Sequence, residues 1–369
     1  MAEVNRTMRP MIKSKRCIYT KEKVQELMAN RAAGKSIIDF ASENPDTIGE
    51  PTFVPVTPQQ IWQSYSMNVT PTTGAGKTIA VIEGGGVPNL ASDMALYCSL
   101  FNLPPCTLQV VNQTGGATLP PYNSVWFLEA ALDTQIAHAM APAATIICVQ
   151  CNSANGSDLL AGAQWASTHA DYVSMSFSGP EDATTESDNA VFANAPPTTS
   201  FFASSGDGGN AAAFPASSPN VVAVGGTTLL TNSGDGSFAA ELGWYYSSGG
   251  CSAVFTAPPS QIAYGYNPCL GMRAMPDVCM VANETYTFSQ GSAYVLTGTS
   301  ISAPLFAGRA AAEGIVVNVP YIYENTTINY RDITEGYSNL QPLPGVNIYN
   351  SCLFGPDLVT GIGSWNGDT

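Results

Sequence analysis

The chain has 369 residues, 45% of them hydrophobic, enough material for a full core in one large domain or two. It carries 13 Lys and Arg against 28 Asp and Glu, and most of the basic residues fall within the first 35 positions. The remainder is therefore strongly acidic. That excludes nucleic acid as its main partner and suits work in acid, with solubility through net charge as the plainer reading.

Taken in chain order, the opening stretch "MAEVNRTMRPMIKSKRC" lacks the apolar core of a secretory signal, and no later run is long enough to span a membrane. The expected location is extracellular or an acidic compartment. Residues 1–55 read as a basic extension, propeptide-like or an arm, with one helix candidate, "TKEKVQELMANRAAG", closed by Gly34. Its positive charge suits docking onto the acidic remainder. A second unit is expected over residues 56–369. There "KTIAVIEGG" reads as a buried strand, "SVWFLEAALDTQIAHAMAP" as a helix stopped by Pro142, and "ATIICVQ" and "DYVSMSFS" as strands around the helix "SDLLAGAQWASTHA". "TSFFASSGDGG" and "NVVAVGGTTL" are strands ending in glycine turns, and "GTSISAPLFAGRAAAEGIVV" is a long helix of small residues. Strands alternating with helices predict an α/β fold, a mostly parallel sheet with helices on both faces.

Two motifs are set aside. "TGAGKT" lacks the first glycine of a phosphate-binding loop and precedes its strand instead of following it. The pair in "CVQC", Cys148 and Cys151, has redox spacing but lies in a strand-like run, so buried thiols or disulfide partners are expected. Six Asn-x-Ser/Thr sequons barely exceed what this composition gives by chance.

Ser300, in "GTSISAP", has the small neighbours and helix start that a catalytic serine needs; the alternative is an ordinary helix N-cap. A nucleophilic serine needs a base, and the chain has two histidines. His138 falls on the face of its helix opposite Glu129, and His169 reads as a loop-edge residue. Glu129 and Asp133 are better candidates. At i, i+4 they share a helix face among apolar neighbours, where the two cannot both ionise easily. An exposed acidic pair is the alternative.

These residues resemble the sedolisins, or serine-carboxyl peptidases, relatives of subtilisin in which glutamate replaces the histidine base. The resemblance runs over about residues 56–369, through "LEAALDTQ", "SMSFSGPE", "ASSGDGG", "FPASSPNVVAVGGTTL", "ELGWYYSSGGCS", "MPDVCMVA" and "GTSISAP" in order. It implies a subtilisin-like fold and hydrolysis of peptide bonds at acidic pH. Ser300 would be the nucleophile, Glu129 the general base, Asp133 its orienting partner and Asp207 the protonated donor to the oxyanion. "SSGGCS" is expected to line the cleft with backbone that pairs to a peptide.

The same resemblance implies one structural calcium ion in the tail, held by the carboxylates of Asp332 and Asp357 and the carbonyls of Ile333, Leu353 and Gly355. Leu353 stands where the family often has glycine. The expected partner is peptide or unfolded protein, with no nucleic acid and no membrane span, and the chain is expected to act as a monomer. Sedolisins typically carry a large folded prodomain, whereas fewer than 60 residues precede this unit. The other readings are a non-catalytic relative that binds or builds, and a neutral-pH enzyme using His138.

Overall fold

In this computed structural model, residues 6–32, 55–209, 212–232, 235–325, 328–339 and 351–368 are described. The basic extension is woven into the molecule. Its strands β1 (Arg9–Pro10) and β2 (Ser14–Tyr19) are followed by α1 (Lys21–Ala32). Gly34, the expected end of that helix, lies outside the described residues. At α2 (Pro58–Ser64) a capping box joins Thr57 and Gln60, each side chain accepting from the other's backbone N–H.

Strand and helix then alternate: β3 (Thr78–Gly84), α3 (Leu90–Phe101), β4 (Thr107–Asn112), α4 (Phe127–Met140), β5 (Thr145–Cys151), α5 (Gly156–Ala166) and β6 (Tyr172–Met175), all expected from the apolar runs except α3 and β4. One residue separates β6 from β7 (Phe177–Pro180), and two single-turn helices, α6 (Thr185–Asp188) and α7 (Ala190–Ala193), lead to β8 (Ser200–Ser204). Next come β9 (Ala213–Phe214), β10 (Val222–Thr231), β11 (Phe238–Gly243), β12 (Gly250–Thr256), α8 (Pro259–Tyr264) and β13 (Met272–Met275). A disulfide between Cys251 and Cys269 ties this last region, whereas Cys148 and Cys151 are buried free thiols. The chain continues through β14 (Val278–Val281), the hairpin of β15 (Thr285–Ser289) and β16 (Ser292–Thr297), and α9 (Thr299–Glu313). It ends with α10 (Val319–Glu324), β17 (Ile328–Arg331) and β18 (Ser364–Asp368).

The large sheet has the order β17-β18-β14-β10-β8-β6-β3-β5-β4, with β11 added antiparallel to β10. From β18 to β4 every neighbour is parallel. Its central strands are buried along nearly their whole length, as a parallel sheet covered on both faces requires. Alternate residues of β3 serve opposite layers: Ile79 joins Leu132, Ile136 and Phe306 of α4 and α9, while Ala80 and Ile82 join Leu159 and Ala163 of α5.

The approach of α9 to α4 is what assembles the site. Gly308 of α9 allows it, because a Cβ there would come within 2.6 Å of Met140 Cβ and 3.1 Å of the Ala137 carbonyl. Gly314, in the left-handed conformation, ends α9.

Candidate active site

Ser300 lies in the first turn of α9, and Glu129 and Asp133 lie in the first two turns of α4. All three are completely buried. A third acid, Glu83, is fully buried at the end of β3, the strand beneath this helix pair. Neither carboxyl oxygen of Glu83, Glu129 or Asp133, nor the Ser300 hydroxyl, has a hydrogen-bond partner within 3.5 Å among the described residues, although the Ser300 and Ser176 hydroxyls stand close enough to Glu129 and Asp133 to act on their charge. Such orphaned groups are costly in a core, and a cluster of them is a candidate site for chemistry.

Burial pushes Glu129 well above the usual carboxylate range; the Asp133 charge adds to the rise and the Ser300 hydroxyl offsets part of it. Burial does the same to Asp133, against the pull of the Ser176 hydroxyl. Glu83 is raised by burial, then by the charges of Asp133 and Glu129. The three titrate as one cluster and retain protons that isolated carboxylates would have lost.

Asp207 follows β8 and faces the start of α9. Its Oδ1 accepts from the Thr299 N–H at 2.8 Å and from the Thr299 hydroxyl at 2.7 Å, while its buried Oδ2 has no hydrogen-bond partner among the described residues. Burial raises its pKa to about 7, with the Thr299 donors and Lys13 opposing. An acid fixed through one oxygen and free at the other is arranged to donate through the free one. Gly298 makes room: with φ at 150°, a Cβ there would collide with the Met11 carbonyl oxygen and with Asp207 Oδ2.

That carbonyl belongs to the N-terminal extension, which crosses the site as an extended chain. The Met11 carbonyl accepts from the Ser300 N–H at 3.2 Å, and the Met11 N–H donates to the Ser176 carbonyl at 3.0 Å. On one side, β1 pairs antiparallel with β7, Arg9 opposite Ser178 and Pro10 opposite Phe177. Further upstream, the Met8 N–H donates to the Ala154 carbonyl at 2.8 Å, and the Gly156 N–H donates to the Arg6 carbonyl at 2.8 Å. On the other side of Ser300, the Lys13 N–H donates to the Thr297 carbonyl at 2.8 Å and β2 pairs antiparallel with β16.

The structure thus brings Glu129, Asp133, Asp207 and Ser300 to one end of the sheet. His138 is elsewhere: it is buried, its Nε2 lies 3.0 Å from the Pro104 carbonyl, and burial lowers its pKa to about 4. His169 is exposed and stacks on Trp165. The expectation for "SSGGCS" is corrected in part. The extended chain pairs with β7 and residues 154–156, whereas Ser248 accepts from the Gly208 N–H of the Asp207 loop and Ser247 from the Gly226 N–H of β10. Glu83 was not singled out from the sequence, although a lone acid closing an uninterrupted apolar strand was a usable signal.

In the tail, Asp332 and Asp357 converge on one loop. Asp332 accepts from the Gly355 N–H at 2.8 Å, and Asp357 accepts from the Leu353 N–H at 3.0 Å and the Val359 and Thr360 N–H groups at 2.8 Å. Two carboxylates at one loop are oxygen donors of the kind calcium takes, and here both accept backbone N–H groups of that loop.

Residues 127–317, more than half of the chain, match the subtilase family. The chain belongs to that family. Kumamolisin of Bacillus sp. (strain MN-32) is 30% identical over 355 residues, taking in 84% of this chain and 61% of kumamolisin. Sedolisin of Pseudomonas sp. (strain 101) is 35% identical over 108 residues, 26% of this chain and 18% of sedolisin. Measured against these curated relatives, the chain spans about three fifths of the length of kumamolisin. In three dimensions it is similar to a Pseudomonas sedolisin, a serine-carboxyl proteinase complexed with two molecules of pseudo-iodotyrostatin, with a TM-score of 0.74 at 24% identity over 86% of this chain and 96% of that one. Sphericase shares the fold, with a TM-score of 0.53 at 18% identity over 86% of this chain and 99% of that one.

Proposed function

We propose that the protein is a serine-carboxyl endopeptidase that works in acid. One observation carries this reading: a main-chain carbonyl, that of Met11, lies against Gly298 beside Asp207 Oδ2 and accepts from the Ser300 N–H. A peptide held there has its carbonyl oxygen between two donors, the Ser300 amide and a protonated Asp207, and its carbonyl carbon beside the serine.

The chemistry follows from the charges. Ser300 Oγ adds to the carbonyl carbon and gives its proton to Glu129, the member of the acid cluster that is ionised while Asp133 keeps its proton and orients it. The carbon–nitrogen bond breaks as Glu129 returns that proton to the departing nitrogen. Water then gives a proton to Glu129 and hydrolyses the ester, and Ser300 recovers its hydrogen. Asp207 donates to the oxyanion only while protonated, so turnover falls as pH rises through about 7. Endopeptidase action is favoured over removal of short N-terminal pieces because the extended chain continues upstream of Met11, bonded at Met8 and Arg6. A calcium ion held by Asp332 and Asp357 with the carbonyls of Ile333, Leu353 and Gly355 would brace the tail loop and take no part in the reaction.

Digestion of a reduced, denatured protein between pH 3 and pH 7 tests this reading. Internal fragments are expected from the wild type and none from Ser300→Ala. Equal digestion by both, or by neither, sinks it.

A further inference from the structure

The upstream part of the extended chain ends in a pocket built for one side chain. Arg6 is only 8% exposed, whereas the other polar residues of the described segment before Ile12, Thr7 and Arg9, are exposed. Its Nη1 donates to the Thr185 hydroxyl at 2.7 Å and to the Pro180 carbonyl at 3.2 Å, and lies 3.3 Å from Asp182 Oδ1. Its Nη2 donates to Asp188 Oδ2 at 2.6 Å. The guanidinium carbon stands 4.6 Å from the centroid of the Phe214 ring. Two carboxylates, a hydroxyl, a carbonyl and an aromatic face thus meet a planar cation, an arrangement an ammonium would satisfy less completely.

Between this pocket and Ser300 the register has no slack. Thr7 bridges Asn155, Met8 is buried against Gly156 and Gly179, and Arg9 and Pro10 pair with β7. The pocket therefore measures a set distance along an extended peptide.

We propose that Asp182, Thr185, Asp188 and Phe214 form a distal subsite for an arginine five residues upstream of the attacked carbonyl. Arg6 is its first occupant, and it sets Met11–Ile12 as the bond this chain cuts in itself. This rests on the peptidase reading above. In the step, Ser300 Oγ bonds to the Met11 carbonyl carbon, the bond to the Ile12 nitrogen breaks, and that nitrogen takes the proton held by Glu129. Water then releases a fragment ending in the Met11 carboxyl group. One of its carboxylates keeps its charge further into acid: although burial raises the Asp182 pKa, the hydroxyl and N–H of Thr184 and the Arg6 charge outweigh it and hold that carboxyl below its ordinary value.

The test uses the full chain, kept at pH 8 and then shifted to pH 4, with intact mass and the N-terminus read under denaturing conditions, because residues after Ile12 stay paired with β16. The wild type should yield a chain beginning at Ile12, and Ser300→Ala should not. Arg6→Ala, and separately Asp182→Asn with Asp188→Asn, should each slow that cut about tenfold or more, while Arg6→Lys retains part of the rate. Combining the two sets should cost no more than either alone, because both remove one contact. An intact Met11–Ile12 bond in a protein that digests denatured substrate overturns the proposal. So does an Arg6→Ala rate equal to wild type, or losses that multiply. Failure to digest denatured substrate at all would instead count against the peptidase reading.

Discussion

Replacing Asp207 by Asn should make the folded protein more stable at pH 8 and leave it nearly unchanged at pH 3.5. Burial raises the Asp207 pKa from 3.8 to about 7. A folded pKa above the unfolded one means that the stabilisation is fully present below about 3.8 and is lost as pH rises through about 7. A rise from 3.8 to about 7 corresponds to roughly 4 kcal/mol of destabilisation once Asp207 is ionised in the fold. An amide never ionises. It also suits both neighbours, since its oxygen can accept the Thr299 donors and its nitrogen can donate to the Met11 carbonyl. At the unfolding entropy typical of a chain this long, roughly 4 kcal/mol moves the melting temperature by about 5 °C. The comparison is a pair of thermal melts at each pH, in a Ser300→Ala background so that self-digestion cannot intrude. An Asn-minus-Asp difference that is the same at pH 3.5 and pH 8 refutes the raised pKa, and with it the protonated oxyanion donor.

Three further outcomes are expected. Asp207→Ala removes the donor and should lower kcat/KM at acidic pH by the equivalent of about 2.7–4 kcal/mol, whereas Asp207→Asn should keep partial turnover and extend activity to higher pH. If calcium is bound, saturating it at a thousandfold excess over its Kd should add about 4 kcal/mol of stability that a chelator removes, and Asp332→Asn should blunt the response; a melting temperature indifferent to both counts against the site. Arg273 and Asp277 form a fully buried pair at 2.6 Å, so Arg273→Ala should cost about 3–5 kcal/mol by denaturant titration, and a loss under 1 kcal/mol contradicts that reading.

Much of the frame was legible because its cause is local. Runs such as "TIAVIEG" and "TIICVQC" have no polar alternation, as strands covered on both faces require, and Glu129 and Asp133 share a helix face by spacing alone. The extension was not legible in this way. The strand Ser14–Tyr19 is mostly exposed and has no apolar period, since it is held by main-chain pairing to β16, which leaves no mark on side-chain pattern. The Arg6 pocket was hidden for a different reason: its acids lie more than 170 positions along the chain, joined to Arg6 only by the fold. Glu83 was passed over because an apolar strand with one acid reads first as a strand.

The central claim is that a glutamate, and no histidine, takes the proton from Ser300, and steady-state cleavage of a peptide by Glu129→Gln and His138→Ala between pH 3 and pH 7 tests it most directly. An amide at position 129 has no basic oxygen to accept the proton, so turnover should fall by at least 10²-fold, the usual contribution of a general base, with the fold intact by circular dichroism. His138, bonded to Pro104 and away from the acid cluster, should be replaceable with turnover within a few-fold of wild type. Loss of turnover in His138→Ala together with near-wild-type turnover in Glu129→Gln would contradict the account.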